Sequence, residues 1–300
     1  ATSPFMLLKA PEEAEYLTLL GDAMRQLRPE ANAVFGGQYR IAGDKIAFEP
    51  ADQADDRFAA TGEVITANWV EAEQLFGCLR QFNGELSLQP GLVHRANGGV
   101  LIISLRTLLS QPLLWMRLKT IVTEQRFDWV GYDESRPLPV SVPSMPLSLT
   151  VVLTGDRESL ADFQEMEPEL AELAVYSEYE DNIQVADADD MAQWCQWVLA
   201  VAERFALPMP AADAWTGLIR EAVRYTGDQE TLPLSPLWIG KQLREVGVIS
   251  GKGAFTGEQL TQMLAQREWR EGYLADRMQD EILLEQILVE TEGERIGQIN

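Results

Sequence analysis

Two stretches of this 300-residue chain have residue types and spacing that could handle phosphate or a metal-bound water. The first is Ala10-Pro11-Glu12-Glu13-Ala14-Glu15-Tyr16, which follows the short apolar run 5–8 and opens an amphipathic segment. A turn from strand to helix is where an α/β nucleotide-binding fold holds its phosphate loop. Such a loop needs glycines for close backbone approach, a Lys for the outer phosphates and a hydroxyl for Mg²⁺. This turn offers Glu12, Glu13 and Glu15 instead. A carboxylate ~5 Å from a phosphate costs roughly 3 kcal/mol per charge pair at an effective dielectric near 20. On the residues alone, the simpler reading is an ordinary helix start, where acids complement the dipole.

The second stretch is Pro90-Gly91-Leu92-Val93-His94-Arg95-Ala96-Asn97-Gly98-Gly99, running into Val100-Leu101-Ile102-Ile103-Ser104-Leu105. A buried strand ending in acids is where phosphoryl-transfer enzymes hold Mg²⁺ and position water. Ser104 and Leu105 stand at this strand end and supply no charge. His94 and Arg95 read as well as a polar surface loop as they do as catalytic groups. Other chemistry is excluded more simply. The sequence lacks G-x-S-x-G, H-E-x-x-H, C-x-x-C, G-x-G-x-x-G and an intact G-x-x-x-x-G-K-[ST]. With His94 as its one histidine it has little capacity for His-based metal sites or His-paired triads.

These candidates need elements to position them. Residues 5–8 predict a strand and 12–27 a helix, with Tyr16, Leu19, Leu20, Met24 and Leu27 at helical spacing. Weak strands are expected at 38–41 and 45–48, a helix over 70–82 and an extended piece at 86–88. The continuous apolar run 100–103 fits a strand buried on both faces. A helix over 113–123, a Pro-broken section and a second buried strand over 147–153 follow. Strands alternating with helices argue for a mainly parallel sheet. Beyond about residue 186 the pattern is helical: 187–202, 211–225 ended by Gly227, 235–246, and a long helix to about 285. Thr256-Gly257-Glu258-Gln259 gives that last helix a capping box. Segments 287–290 and 295–299 read as two strands of a hairpin.

Composition bounds the function. Asp and Glu number 47 against 24 Lys and Arg, a net charge of −23. Such a field repels phosphate backbones and anionic lipid surfaces, so neither nucleic acid nor membrane is an expected partner. Residues 156–190 hold 13 acids and one base, Arg157, whereas Arg106, Arg117, Lys119 and Arg126 share a stretch with one acid, Glu124. Two cysteines, Cys78 and Cys195, make no disulfide framework, and a cytoplasmic location is expected. The chain starts at Ala1 and stops inside an alternating pattern, as expected of a piece of something longer.

The motif Gly91-Leu92-Val93-His94-Arg95-Ala96-Asn97-Gly98-Gly99 before a buried strand resembles the AAA+ segment of Lon-related bacterial proteases. Other matches run in order along the chain. They are 68–77 ending Leu75-Phe76-Gly77, 108–112, 149–156, Tyr225-Thr226-Gly227-Asp228-Gln229 with Leu234-Ser235, and 291–300, which is similar to the opening of the family's peptidase domain. The resemblance implies an α/β AAA+ domain over 1–186, an all-α lid over 187–286 and the start of a peptidase domain at 287–300. It also implies a parent protein that is a Ser-Lys serine endopeptidase, with the dyad beyond this chain and no catalytic residue within it.

Active relatives carry ATP and Mg²⁺ on motifs that this chain departs from. Their phosphate loop aligns with Ala10–Tyr16, their Walker B acid with Ser104, their arginine finger with Ala171 and their lid arginine with Leu237. Four losses together turn the reading of Ala10–Tyr16 toward an eroded phosphate loop and imply that no cofactor is bound. The resemblance further implies unfolded polypeptide as partner and a ring, often hexameric, in the whole protein, with this piece alone expected to be monomeric. Trp129 and Tyr132, in the section that faces the pore in relatives, are candidates to grip a substrate chain, the competing reading being that they fill a local core. The alternative function is a working ATPase using unusual residues.

Overall fold

The computed structural model describes residues 3–27, 36–50, 57–131 and 135–283. The expected hairpin within 287–299 and the peptidase start at 287–300 lie outside the described residues. The chain divides into two compact units, Ala1–Tyr179 and Glu180–Asn300. This boundary falls seven residues before the expected one after 186. Hydrogen bonding moves it: Asn182–Gln184 forms a strand paired antiparallel with Thr231–Pro233, so that segment belongs to the helical unit.

In the first unit the order is β1 (Phe5–Lys9), α1 (Ala14–Leu27), β2 (Gly37–Ala42), β3 (Lys45–Pro50), β4 (Val64–Ala67) and α2 (Ala72–Phe76). Then come β5 (Cys78–Phe82), β6 (Glu85–Gln89), α3 (Leu92–Arg95), β7 (Val100–Ser104), α4 (Leu105–Ser110) and α5 (Pro112–Glu124). The short pair β8 (Arg126–Phe127) and β9 (Met145–Pro146) precedes β10 (Thr150–Gly155), α6 (Arg157–Met166), α7 (Pro168–Leu173) and β11 (Val175–Glu178). The five strands β11-β1-β10-β7-β4 form one sheet with every pairing parallel. The expected α/β class therefore holds.

β7 is the keystone of this sheet. All five of its residues are buried, because alternate side chains enter different cores. Val100 and Ile102 join Leu8, Leu17, Val64 and Val152, with Leu20 and Met24 of α1 packed against them. Leu101 and Ile103 join the larger cluster on the opposite face, which holds Trp115, Leu118 and Phe163. A strand covered on both faces needs no polar alternation, which is why the run 100–103 is continuously apolar. At its start, a Cβ on Gly99 would stand 1.9 Å from the Glu63 carbonyl oxygen, so this close backbone approach requires glycine.

Two expectations are corrected here. The helix expected over 70–82 is only α2, and 78–82 is the exposed strand β5 paired with β6. Asn83 and Gly84, at φ 49° and 81°, make the two-residue turn between them. The strand expected over 147–153 starts at Thr150 and runs to Gly155. Residues 147 and 148 are held otherwise: Leu147 N–H donates to Gln125 O, and Ser148 N–H to Asn97 Oδ1 at 2.9 Å.

The second unit is β12 (Asn182–Gln184), α8 (Ala188–Arg204), a 3₁₀ turn at Ala212–Ala214, α9 (Trp215–Thr226), β13 (Thr231–Pro233), α10 (Pro236–Ser250) and α11 (Gly257–Leu283). Its buried residues include Trp194, Val198, Leu218, Leu232, Ile239, Leu243 and Phe255. Trp194 places its indole N–H on the Pro233 carbonyl at 2.8 Å, so the large ring is buried without an orphaned donor. The capping box expected at 256–259 is formed, and a side-chain cap opens α8 as well. Asp187 accepts from Asp190 N–H, and Thr256 and Gln259 exchange side-chain-to-backbone bonds at 3.2 and 2.9 Å. Among the described residues no helix is long and apolar enough to cross a membrane.

Ile102→Ala should lower the stability of the first unit by about 2–5 kcal/mol, since the surrounding strand cannot collapse onto the lost volume. Phe82→Ala, at a side chain 78% exposed, should stay within about 0.5 kcal/mol. Urea unfolding followed by far-ultraviolet circular dichroism measures both.

Candidate functional site

In an open parallel sheet, ligands bind at the carboxyl ends of the strands. Here that edge gathers the turn after β1, the end of β7 and the end of β10. Leu8 lies in register with Thr154, and Thr154 with Ser104. Ala10 N–H then donates to Gly155 O at 3.0 Å, which ties the turn to the edge. The structure thus places the first predicted stretch, Ala10–Tyr16, beside Ser104 and Leu105, as a nucleotide site would require.

The turn is unlike a phosphate cradle in three ways. It is four residues long, Ala10 to Glu13, between the end of β1 and the start of α1. A G-x-x-x-x-G-K-[ST] loop spends six residues encircling the phosphates before its Lys. Its side chains are acids: Glu12 is mostly covered, with 18% of its side chain exposed, and its Oε2 accepts from Arg106 Nη1 at 3.1 Å. Glu13 is exposed and Glu15 half-buried just beyond it. Finally, Tyr16 does not face a ligand but is buried, its ring edge-on to Tyr179 at 5.2 Å between centroids.

Under this turn sit three buried oxygens with no hydrogen-bond partner: Ser104 Oγ, Thr154 Oγ1 and Glu12 Oε1. Leu105 is fully buried and lies against the position of Gly155. Asp156, next along, is committed to capping α6: its carboxylate accepts from Ser159 N–H at 2.8 Å, and that bond holds it below the usual carboxylate range. Ala171 stands partly buried within α7, and Leu237 in the first turn of α10, each an apolar side chain at a position where the resemblance implies a cation in active relatives. Among the described residues no group of three or more His, Cys, Asp or Glu could hold a metal ion.

The second predicted stretch proves to be structural. The sequence around His94 fits a polar surface loop or a catalytic group, but the side chain is fully buried at the end of the short helix α3. Its Nδ1 accepts from Gly91 N–H at 2.9 Å, which leaves the proton on Nε2. Its ring stacks on Trp129 (5.3 Å, 13° between planes) and meets Phe127 and Phe58 edge-on at 4.3 and 5.1 Å. Burial, with Arg117 close by, pushes the imidazole pKa down to about 3. Asn97 is also fully buried and pins Ser148. Arg95 alone reaches solvent, 3.6 Å from Glu63.

Trp129 is corrected as an exposed grip. It is 8% exposed, and its indole N–H donates to Tyr39 Oη at 3.0 Å. Tyr39 in turn donates to Pro143 O at 2.7 Å, and burial raises its phenol to about 12. Tyr132 lies outside the described residues.

Residues 61–176 match the LonB-like AAA domain family. A Lon protease homologue of Escherichia coli strain K12 is 66% identical over 300 residues, covering 100% of this chain and 51% of that protein. A Lon protease homologue of Haemophilus influenzae is 36% identical over 307 positions, again covering 100% and 51%. The archaeal Lon protease of Pyrococcus abyssi is 29% identical over 223 residues, 72% of this chain and 22% of that one. The chain spans about half the length of the first two relatives. The sheet domain and the helical unit agree with the AAA+ domain and lid implied by sequence.

The lone histidine makes a direct test of the buried cluster possible. Its NMR imidazole resonances should stay at their neutral positions from pH 8 to pH 5. The unfolded imidazole titrates near 6.5 and the folded one near 3, so the unfolded state binds the extra proton between them. Stability should therefore fall as pH drops below 6.5, by up to about 1.4 kcal/mol per pH unit from this group. His94→Asn, which keeps an acceptor for Gly91, should lose that part of the slope in urea unfolding at pH 7 and pH 5.

Proposed function

We propose that this Lon-related chain, which carries a LonB-like AAA domain, works as a non-hydrolysing module that gates polypeptide entry and scaffolds assembly for a serine protease of the Lon type. The observation that carries the reading is the four-residue acidic turn at the sheet edge, closed by the Glu12–Arg106 pair. A nucleotide there would meet Glu12, Glu13 and Glu15 with Arg106 already engaged, at roughly 3 kcal/mol per unbalanced charge pair. It would also find too little backbone to wrap its phosphates. Ser104 in place of an acid leaves Mg²⁺ without a carboxylate, so neither ATP nor Mg²⁺ fits the residues present.

Loss of hydrolysis leaves the mechanical parts intact. The sheet is complete, its core is closed on both faces and the helical unit keeps its caps. Such a module can still pack against copies of itself and present loops to a polypeptide. The peptidase chemistry belongs to the Ser-Lys dyad of the half that this chain does not span. The assembly formed with that half is a homo-oligomeric ring, and unfolded polypeptides are its substrates.

Titrating the chain with a fluorescent ATP analogue and Mg²⁺ should give no saturable signal into the millimolar range. Saturable micromolar binding would overturn the reading in favour of a working ATPase. Ser104→Asp alone should not restore binding, because the turn remains short and acidic.

A further inference from the structure

The five-stranded sheet ends in β4 on one side and β11 on the other, and the two edges are finished differently. At β4, Val64, Ile65 and Ala67 are buried, and the outward Val64 carbonyl accepts from Arg25 Nη2 at 3.0 Å. Natural sheets blunt a free edge by covering it, or with Lys, Pro or a bulge. β11 has none of these devices: its residues are Val175, Tyr176, Ser177 and Glu178.

Register decides which backbone groups β11 leaves over. Tyr179 N–H donates to Lys9 O at 2.7 Å, and Ser177 and Val175 stand opposite Leu8 and Met6 of β1. Alternate residues of a strand turn their N–H and C=O to opposite sides. Those of Tyr176 and Glu178 therefore point away from β1, and among the described residues no backbone bond is made to them. The side chains at this edge are open as well. Val175 is 52% and Tyr176 49% exposed, with Leu173 75% exposed just before them. Tyr176 and Glu178 share one face of the strand, where Tyr176 Oη donates to Glu178 Oε1 at 2.8 Å.

Charge decides what can pair here. Residues 165–178 hold five acids and no base. Glu165, Glu169, Glu172 and Glu178 are exposed. Among the described residues the cations that pair with this segment are Lys9, 3.8 Å from Glu178, and Lys119, 2.6 Å from Glu167. Three residues of chain keep Glu172 within ~10 Å of Val175, about one Debye length. A second copy of this chain, with a net charge of −23, would bring the same acids to the edge.

We infer that the free edge of β11 takes an extended polypeptide segment as a sixth strand, one in which an apolar residue and a Lys or Arg stand two positions apart. The backbone of that segment bonds to Tyr176 and Glu178, which is how strand addition supplies affinity. On the face these two residues share, the apolar side chain packs beside Tyr176 and the cation beside Glu178. The carboxylates repel acidic segments and copies of the chain and favour basic partners. The inference stands on the edge itself and does not need the gating reading, whose test is the nucleotide titration.

Fluorescence anisotropy of labelled acetyl-Thr-Val-Thr-Lys-Thr-Val-Thr-Lys-amide, titrated with the 300-residue chain, tests this. The peptide should bind saturably. Versions with Glu for Lys, or with every backbone nitrogen methylated, should bind at least about tenfold weaker, as loss of charge pairs or backbone bonds implies. In amide-exchange NMR the bound peptide should slow the N–H groups of Tyr176 and Glu178, while that of Ser177, already turned to β1, should not change. Glu178→Lys should weaken the peptide by a similar factor. Tyr176→Pro should do so too, since an edge N–H that faces outward can be lost without breaking the ladder. If the proline variant does not fold, the lysine variant and the exchange pattern carry the test. No binding at millimolar concentration, equal binding of the methylated or Glu peptide, or binding that leaves exchange at Tyr176 and Glu178 unchanged would overturn the proposal. So would self-association of the chain that Tyr176→Pro abolishes, because the edge would then belong to a second copy.

Discussion

The structure depends on one strand that has no polar face. β7 sends Val100 and Ile102 into one core and Leu101 and Ile103 into the other. It can therefore sit only in the middle of a sheet with helices on both sides. Its register with β4 and β10 then sets where every following turn emerges. Ser104, Thr154 and Ala10 meet at one edge because the apolar registers below them leave no other arrangement. A slip of one residue would turn the whole apolar set over, so the edge is fixed by packing rather than by any ligand.

That explains how, on the proposed reading, nucleotide chemistry can be lost while the fold persists. The groups that bind phosphate sit beyond the strand ends, outside the packed layers, and changing them costs little core energy. Here the edge is occupied by its own side chains. Glu12 reaches Arg106, Leu105 packs beside Gly155, and Asp156 caps a helix.

Strongly periodic segments were legible in the sequence: β1, α1, β7, α5 and the capped helices of the second unit all lie where their apolar spacing and caps place them. What was missed shares a physical cause. The segment 70–82 has helical spacing at its start, but its second half is an exposed hairpin with little burial to write a pattern. Its one local signal was Asn83-Gly84, the dipeptide that fits a tight hairpin turn. The unit boundary was placed late because β12 has three residues, and only its long-range pairing with β13 assigns it. His94 was misplaced for a different reason. A histidine between a valine and an arginine carries no periodic mark of burial, and the aromatic rings that enclose it come from positions 58, 127 and 129.

The cluster around His94 also accounts for the motif that first singled out this region. Gly91, His94, Asn97 and Gly99 look like a catalytic loop because polar and glycine residues are dense there. In the fold each has a mechanical duty: His94 accepts from Gly91, Asn97 pins Ser148, and Gly99 lets the chain pass within contact of Glu63 before β7 begins. Such a knot must be polar because the backbone turns sharply inside a core, where its N–H and C=O groups need partners, although His94 Nε2 and Asn97 Nδ2 are themselves buried without one. The same knot carries Trp129 and Phe127, and Phe127 lies under Arg117. The buried guanidinium is thus held in place by the elements that anchor the central strand, and its position is as fixed as that of the sheet.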